Sequence, residues 1–225
     1  MNRDFEMITI EKIEPIETAF ARLRTTPLDA TNGEQIFIYQ TADIRLAEIH
    51  PDEVNPTSLY VLAPQLTLLR EMRKQLLDDY DIDILHLSAI LHLRTKDGKL
   101  FGMAPPFVEV YKETVDIIVA KPEDRTPPRL TLNIPVFKDG MHRAWIAREE
   151  NETVTSIVVR GALAEHPPYS YPNEWSQVTV CQSKAERKLK KFFRRQSEYS
   201  YLRPLRALRQ TGDVLPAPEY GADYR

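Results

Sequence analysis

The sequence predicts an α/β fold: a mixed sheet with helices, followed by a helical, basic C-terminal extension. Three observations carry this reading. An extended apolar run over 130–137 passes through Lys138-Asp139-Gly140 into a helical pattern over 142–150, then into a Val- and Ile-rich strand over 153–160. Strand, glycine turn, helix and strand in that order make an α/β unit. Leu66, Leu69, Met72, Leu76 and Leu77 recur at helical spacing over 64–80, with Pro64 suited to the first turn. Residues 90–94 and a run from Leu100 flank Lys96-Asp97-Gly98-Lys99, and Asp-Gly between two such runs signals a hairpin.

The remaining elements follow in chain order. Residues 7–13 alternate well enough for a strand, which Pro15 ends. Residues 16–24 form a short helix with Phe20 and Leu23 on one face. Residues 33–60 carry weak signals: 35–40 reads as a strand, and Pro51, Pro56 and Pro64 mark loops. Phe107-Val108-Glu109-Val110-Tyr111 is a strand introduced by Pro105-Pro106, and 115–120 also reads as extended. A Pro- and Tyr-rich stretch over 167–172 precedes a basic helix over 183–196 and a frayed tail with Pro216 and Pro218. The expected organisation is a domain over 1–165 with an insertion at about 25–63, then a C-terminal extension over 166–225.

Composition narrows the classes. Hydrophobic residues make up 42% and charged residues 28%, which is usual for a globular protein in water. No apolar run reaches the roughly 20 residues that span a bilayer. The first six residues carry no apolar stretch behind a basic start, so no secretory signal is expected there. Cys181 is the single cysteine, which rules out an internal disulfide and a cysteine-based zinc site. The expected location is cytoplasmic. The net charge of −3 divides unevenly, with −9 over 1–183, +8 over 184–209 and −2 over the last 16 residues. Such asymmetry speaks about partners, not fold.

The turn at Asp139-Gly140-Met141-His142-Arg143 carries the clearest chemistry. A helix start leaves backbone N–H groups without intrahelical partners and adds partial positive charge. Cationic side chains there gain nothing from the dipole, so an anion held by the amides, His142 and Arg143 explains the combination. A solvated His and Arg after an Asp-Gly turn is the competing reading.

This motif resembles the Asp-Gly-x-His-Arg turn of the ParB/sulfiredoxin superfamily. Pro105-Pro106-Phe107-Val108-Glu109-Val110 is similar to the strand that precedes it in that superfamily, and 153–161 to the strand after it. The run from Ile10 through Glu17-Thr18 resembles the opening strand and turn. Tyr171 to Val178 resembles a Tyr-Pro…Trp-Ser-x-Val segment found in uncharacterised bacterial ParB-like proteins.

The resemblance implies nucleotide phosphates on His142 and Arg143, with Gly140 and Met141 at the same turn. It implies ATP, ADP or CTP as ligand, with Mg²⁺ near Asp139. Met141 stands where sulfiredoxins carry their catalytic cysteine, so sulfinic acid reduction by that route is excluded. Chromosome-segregation ParB proteins have Gly-Glu-Arg-Arg here and a following helix-turn-helix, and neither is seen in this sequence. The free-serine kinases fit best locally. They place a catalytic Glu in a context like Lys12-Ile13-Glu14-Pro15-Ile16-Glu17-Thr18, which makes Glu17 the candidate base.

Other signals are weaker. Glu109 on its strand reads as a substrate or metal ligand, or as a solvent-facing residue. His86 and His92 lack metal-pair spacing and read as strand-face or core residues. Tyr169, Tyr171 and Trp175 either stack a base or cover a core edge. The basic run from Lys184 to Arg195 either contacts nucleic acid or docks on the acidic body. Two functions follow. One is a nucleotide-binding protein, extending to a kinase acting on a small hydroxyl compound such as a free amino acid. The other is a non-enzymatic adaptor or switch that binds nucleic acid or a protein through residues 184–209.

Overall fold

The computed structural model describes residues 8–28, 35–117, 128–168, 170–186 and 189–192, together with Arg203, Leu205 and Leu208. The architecture is mixed α/β. Strand β1 (Thr9–Pro15) leads into helix α1 (Ile16–Thr25), then strands β2 (Asp43–Ile49) and β3 (Tyr60–Leu62), helix α2 (Ala63–Tyr80) and strands β4 (Ala89–Arg94) and β5 (Leu100–Met103). Strands β6 (Phe107–Asp116) and β7 (Arg129–Asp139), helix α3 (Met141–Glu149), and strands β8 (Val154–Arg160) and β9 (Thr179–Cys181) complete it.

Three sheets result. The order β1-β4-β5 is antiparallel throughout. In β2-β8-β6-β7 the central β6 and β8 run parallel while β2 and β7 are antiparallel to their neighbours. Helix α3 carries the chain from β7 past β6 to β8, which is what lets β6 and β8 align in parallel. Strands β3 and β9 form a two-stranded parallel sheet.

Helix α2 begins with Pro64 in its first turn and ends on Asp81 in the left-handed conformation, φ 57°. Leu66, Met72 and Leu76 are its buried face. Met72 and Leu76 pack with Leu91, Leu93 and Met103 of the first sheet. Arg73 ties the helix to the end of α3, donating to both carboxylate oxygens of Asp83 and pairing with Glu150 and Glu152. Asp83, His86 and Glu152 lie close enough to resemble a metal cluster, but Arg73 already neutralises two of the three.

A second core joins Ala144, Ile146 and Ala147 of α3 to Val108, Phe137, Val158 and Trp175. The Trp175 indole N–H donates to Pro51 O at 2.9 Å and Val54 O at 3.0 Å, and the Arg148 guanidinium lies 5.5 Å from its ring centroid. This residue covers a core edge; Tyr171 is exposed, and Tyr169 lies outside the described residues. The third core gathers Ala19 and Leu23 of α1 with Tyr39, Ile90, Phe107, Ile157 and Leu208.

Two expectations need correction, those for 35–40 and for the basic helix over 183–196. Residues 35–40 are not a strand: 35–37 have no regular structure and 38–41 form a turn, closed by Gln40 N–H donating to Phe37 O. Ile36, Ile38 and Tyr39 are all buried, so burial, not alternation, produced the apolar pattern. The extended segments near 107–111, 115–120 and 130–137 are one long ribbon of β6 and β7, with 118–120 outside the described residues. The basic helix is not seen where the chain is described: Lys184–Glu186 form a single 3₁₀ turn and 189–192 are not helical. There the backbone is bonded across the molecule instead, with Leu59 N–H donating to Lys190 O and Tyr171 N–H to Phe192 O. Residues 187–188 and 193–196 of that stretch lie outside the described residues. Among the described residues, no helix is long and apolar enough to cross a membrane.

Candidate functional site

Gly140 turns the chain from β7 into α3 with φ 82°, the left-handed region that glycine enters without strain. A Cβ there meets the Pro106 Cβ at 2.6 Å and its Cα at 2.8 Å. Packing against Pro106 therefore excludes every side chain at this position. No side chain caps the helix, so the first-turn N–H groups find no partner from an N-cap residue.

That first turn borders a cavity of about 340 Å³, within the range of small-ligand sites. One wall is apolar, with Leu62, Leu69, Phe101 and Met103. Another is cationic: Lys138, Arg143, Lys184, Lys190 and Lys191 all line it, with Asp139 as the one carboxylate among the described lining residues. Lys138 and Lys191 are buried, and Lys138 Nζ lies 3.4 Å from Ser170 Oγ. Burial lowers the Lys191 ammonium to about 8, against the opposing pull of Asp139.

The His142 Nε2 accepts the Leu62 N–H at 3.0 Å, which fixes the imidazole with its remaining proton on Nδ1. Burial first, then the charge of Lys190, lowers its pKa to about 4, while Asp139 works in the other direction. At neutral pH His142 is therefore uncharged. It offers an anion one N–H, not a positive charge. Arg143 is buried, with Nη2 donating to Ala104 O at 2.6 Å and Nη1 lying 3.5 Å from Ile84 O. Its guanidinium binds backbone carbonyls before β4 and just after β5 while adding charge to the cavity wall.

The structure thus brings Asp139, Gly140, Met141, His142 and Arg143 to one cavity. It does not bring Glu17 there: that residue is exposed in the first turn of α1 and is not part of the lining. Glu109 is neither solvent-facing nor a free ligand. It is fully buried, accepting two bonds from Arg203 at 2.6 and 2.7 Å and one from the Tyr39 hydroxyl at 2.7 Å. His92 is a buried strand residue whose Nε2 lies 3.0 Å from Glu14 Oε2. His86 is exposed. Sequence reasoning missed Lys138, Lys190 and Lys191 as partners of the turn. The basic run was visible, but nothing in its order says that it folds back over residue 139.

The chain matches the ParB CE domain over residues 19–179, a span that starts in α1 and ends in β9 and so takes in both the cavity turn and β2. The chain belongs to the ParB CE domain family. No curated protein and no solved structure matches it. The ParB CE domain contains the turn at 139–143 and the apolar wall, whereas Lys184, Lys190 and Lys191 come from chain beyond it.

Mg²⁺ takes oxygen ligands, commonly one or two carboxylates plus substrate phosphates. Asp139 supplies the one carboxylate among the described lining residues, beside five cationic side chains. The donor set fits a Mg²⁺ that arrives with phosphates, not one held by the protein alone.

Proposed function

We propose that this ParB CE domain protein binds a nucleotide, with the phosphates on the cationic wall and the base toward the apolar one. The carrying observation is the convergence of five cationic side chains and an uncapped helix start on one cavity. Phosphate groups match both features, since helix N-termini and lysines each favour anions. The resemblance of the turn to the Asp-Gly-x-His-Arg motif supports the same reading. In this site Lys190 and Lys191 supply charge, His142 supplies Nδ1–H, Arg143 shapes the wall from beneath, and Asp139 takes the Mg²⁺ that accompanies the phosphates.

Transfer of a phosphoryl group to a small hydroxyl compound is the extension of this reading. Glu17, the expected base, stands outside the lining, and Asp139, the one carboxylate among the described lining residues, is engaged with Mg²⁺, so in this extension the proton of the acceptor hydroxyl passes to solvent. The described lysines of the basic segment line the cavity, which favours this reading over nucleic-acid docking through the same residues.

Titration calorimetry with ATP, ADP and CTP, each with Mg²⁺, tests the proposal. The informative variant is Lys190→Glu/Lys191→Met, expected to weaken binding at least about tenfold, a loss of about 1.4 kcal/mol. Arg143→Ala is a poor probe, since it also strips two backbone carbonyls of a buried donor. Absence of binding by the unmodified protein to all three nucleotides would sink the reading.

A further inference from the structure

The outer half of the β6–β7 ribbon stands apart from the three cores. Pairing continues in register through Glu113↔Leu132, Val115↔Leu130 and Asp116↔Arg129. Its two faces differ in chemistry. One carries Lys112↔Asn133, Thr114↔Thr131 and Asp116↔Arg129, the last pair joined by an ion pair at 3.0 Å. The other carries Val115, Ile117, Leu130 and Leu132, which are 38%, 43%, 47% and 39% exposed, with Glu113 opposite Leu132 accepting from the Tyr111 hydroxyl. An isolated two-stranded ribbon is marginal in water, and a cluster of exposed apolar side chains on one face calls for cover.

The edge of β7 is bare on the same stretch. Its inner part is closed by Asn55, whose N–H donates to Pro135 O while its carbonyl accepts the Phe137 N–H, and by the Thr57 hydroxyl on Phe137 O. Among the described residues, no strand pairs with 129–134 on that outer side. An open strand edge is a template for another strand.

We propose that this arm is a self-association surface, pairing β7 antiparallel with β7 of a second copy of the chain. Charge chooses the occupant. Among the described residues of the arm, Lys112 and Arg129 balance Glu113 and Asp116, so it neither attracts a polyanion nor repels its own copy. Symmetry limits the register. A twofold axis perpendicular to the sheet keeps Leu130 and Leu132 of both copies on one face only if it passes through a residue, since side chains alternate with period two. Within the open stretch that residue is Thr131 or Leu132. The first centre sets Leu130 opposite Leu132 of the partner copy. The second sets Leu132 opposite itself and Leu130 opposite Ile134. Either builds one continuous apolar strip from both arms.

Sedimentation velocity of the full chain over a concentration series tests this, beside Leu130→Lys/Leu132→Lys. The dimer is expected in the unmodified chain, with its dissociation constant raised at least roughly tenfold in the variant. At concentrations where the unmodified chain is monomeric, the variant's unfolding midpoint should match it, since both side chains are exposed. Thr131→Cys and Leu132→Cys supply an independent readout: the residue on the axis cross-links to itself under mild oxidation. A monomer at every concentration, a dimer indifferent to the lysines, or absence of cross-linking in both cysteine variants would each overturn the proposal.

Discussion

A methyl group at position 140 meets Pro106 before anything else, and it does so on a backbone with φ 82°. Gly140→Ala therefore combines left-handed strain with overlap against a ring held in place by Ile157 N–H bonding to Pro106 O. The expected loss is about 3 kcal/mol in denaturant unfolding, from roughly 1 for the backbone and the rest for the overlap. His142 gives a second prediction at this scale. Its folded pKa of about 4 lies below the unfolded value, so the unfolded chain binds the extra proton more readily. Its contribution is fully present above about pH 6.5 and is lost as pH falls toward about 4, by an amount on the order of 2 kcal/mol for this partly buried ring. Unfolding midpoints measured across that window check it, and His142→Gln should flatten the slope. Lys191 acts in the opposite range. Its ammonium titrates at about 8, so nucleotide affinity should fall as pH rises through 8 and should lose that dependence in Lys191→Met.

Elements explain which parts of the site were legible. Helix α2, the β4–β5 hairpin, α3 and β8 follow from local signals: leucine spacing, Asp-Gly, the glycine turn, and a Val/Ile run. They lie where predicted to within a residue or two, because each is specified by its own segment. Strand β2 was not read from the sequence. Its burial pattern is irregular, and its place is set by antiparallel pairing with β8 more than 100 residues later. Strands β3 and β9 are three residues each and exist through one another. The site divides the same way. The turn at 139–143 is local and was visible, whereas the lysine wall depends on Leu59 N–H holding Lys190 O in place. Trp175 was legible only as either a base-stacking residue or cover for a core edge, and its packing against Phe137 and Trp145 decides for the core. Trp175→Ala should cost roughly 3–5 kcal/mol in chemical unfolding, since it opens a cavity and leaves Pro51 O and Val54 O without their indole donor.

At the scale of the molecule, the C-terminal segment returns to the core through Arg203 and Leu208, both buried. Arg203 lies beyond the span of the ParB CE domain, yet its guanidinium grips Glu109 at the centre of the four-stranded sheet and also donates to His166 O at 2.9 Å. Leu208 enters the core beside it. Burial acts to raise the Glu109 carboxyl, but Arg203 above all, then Lys138 and Tyr39, outweigh it and hold the group below its ordinary value. The same Glu109 raises the Tyr39 hydroxyl, though burial of that hydroxyl contributes more. Such a pair is costly to break from one side and cheap to replace as a unit, because a lone buried charge keeps its desolvation penalty. Arg203→Leu should therefore destabilise the protein by about 3–5 kcal/mol, leaving a fully buried carboxylate with only the Tyr39 hydroxyl and the charge of Lys138 to offset it. Arg203→Leu/Glu109→Gln should recover a large part of that loss, since the remaining amide still accepts from Tyr39 and carries no charge. Unfolding free energies of the two singles and the double close the cycle. A double variant as unstable as the sum of the singles would mean that Arg203 holds the C-terminal segment by packing and its bond to His166 O, with the ion pair contributing nothing of its own.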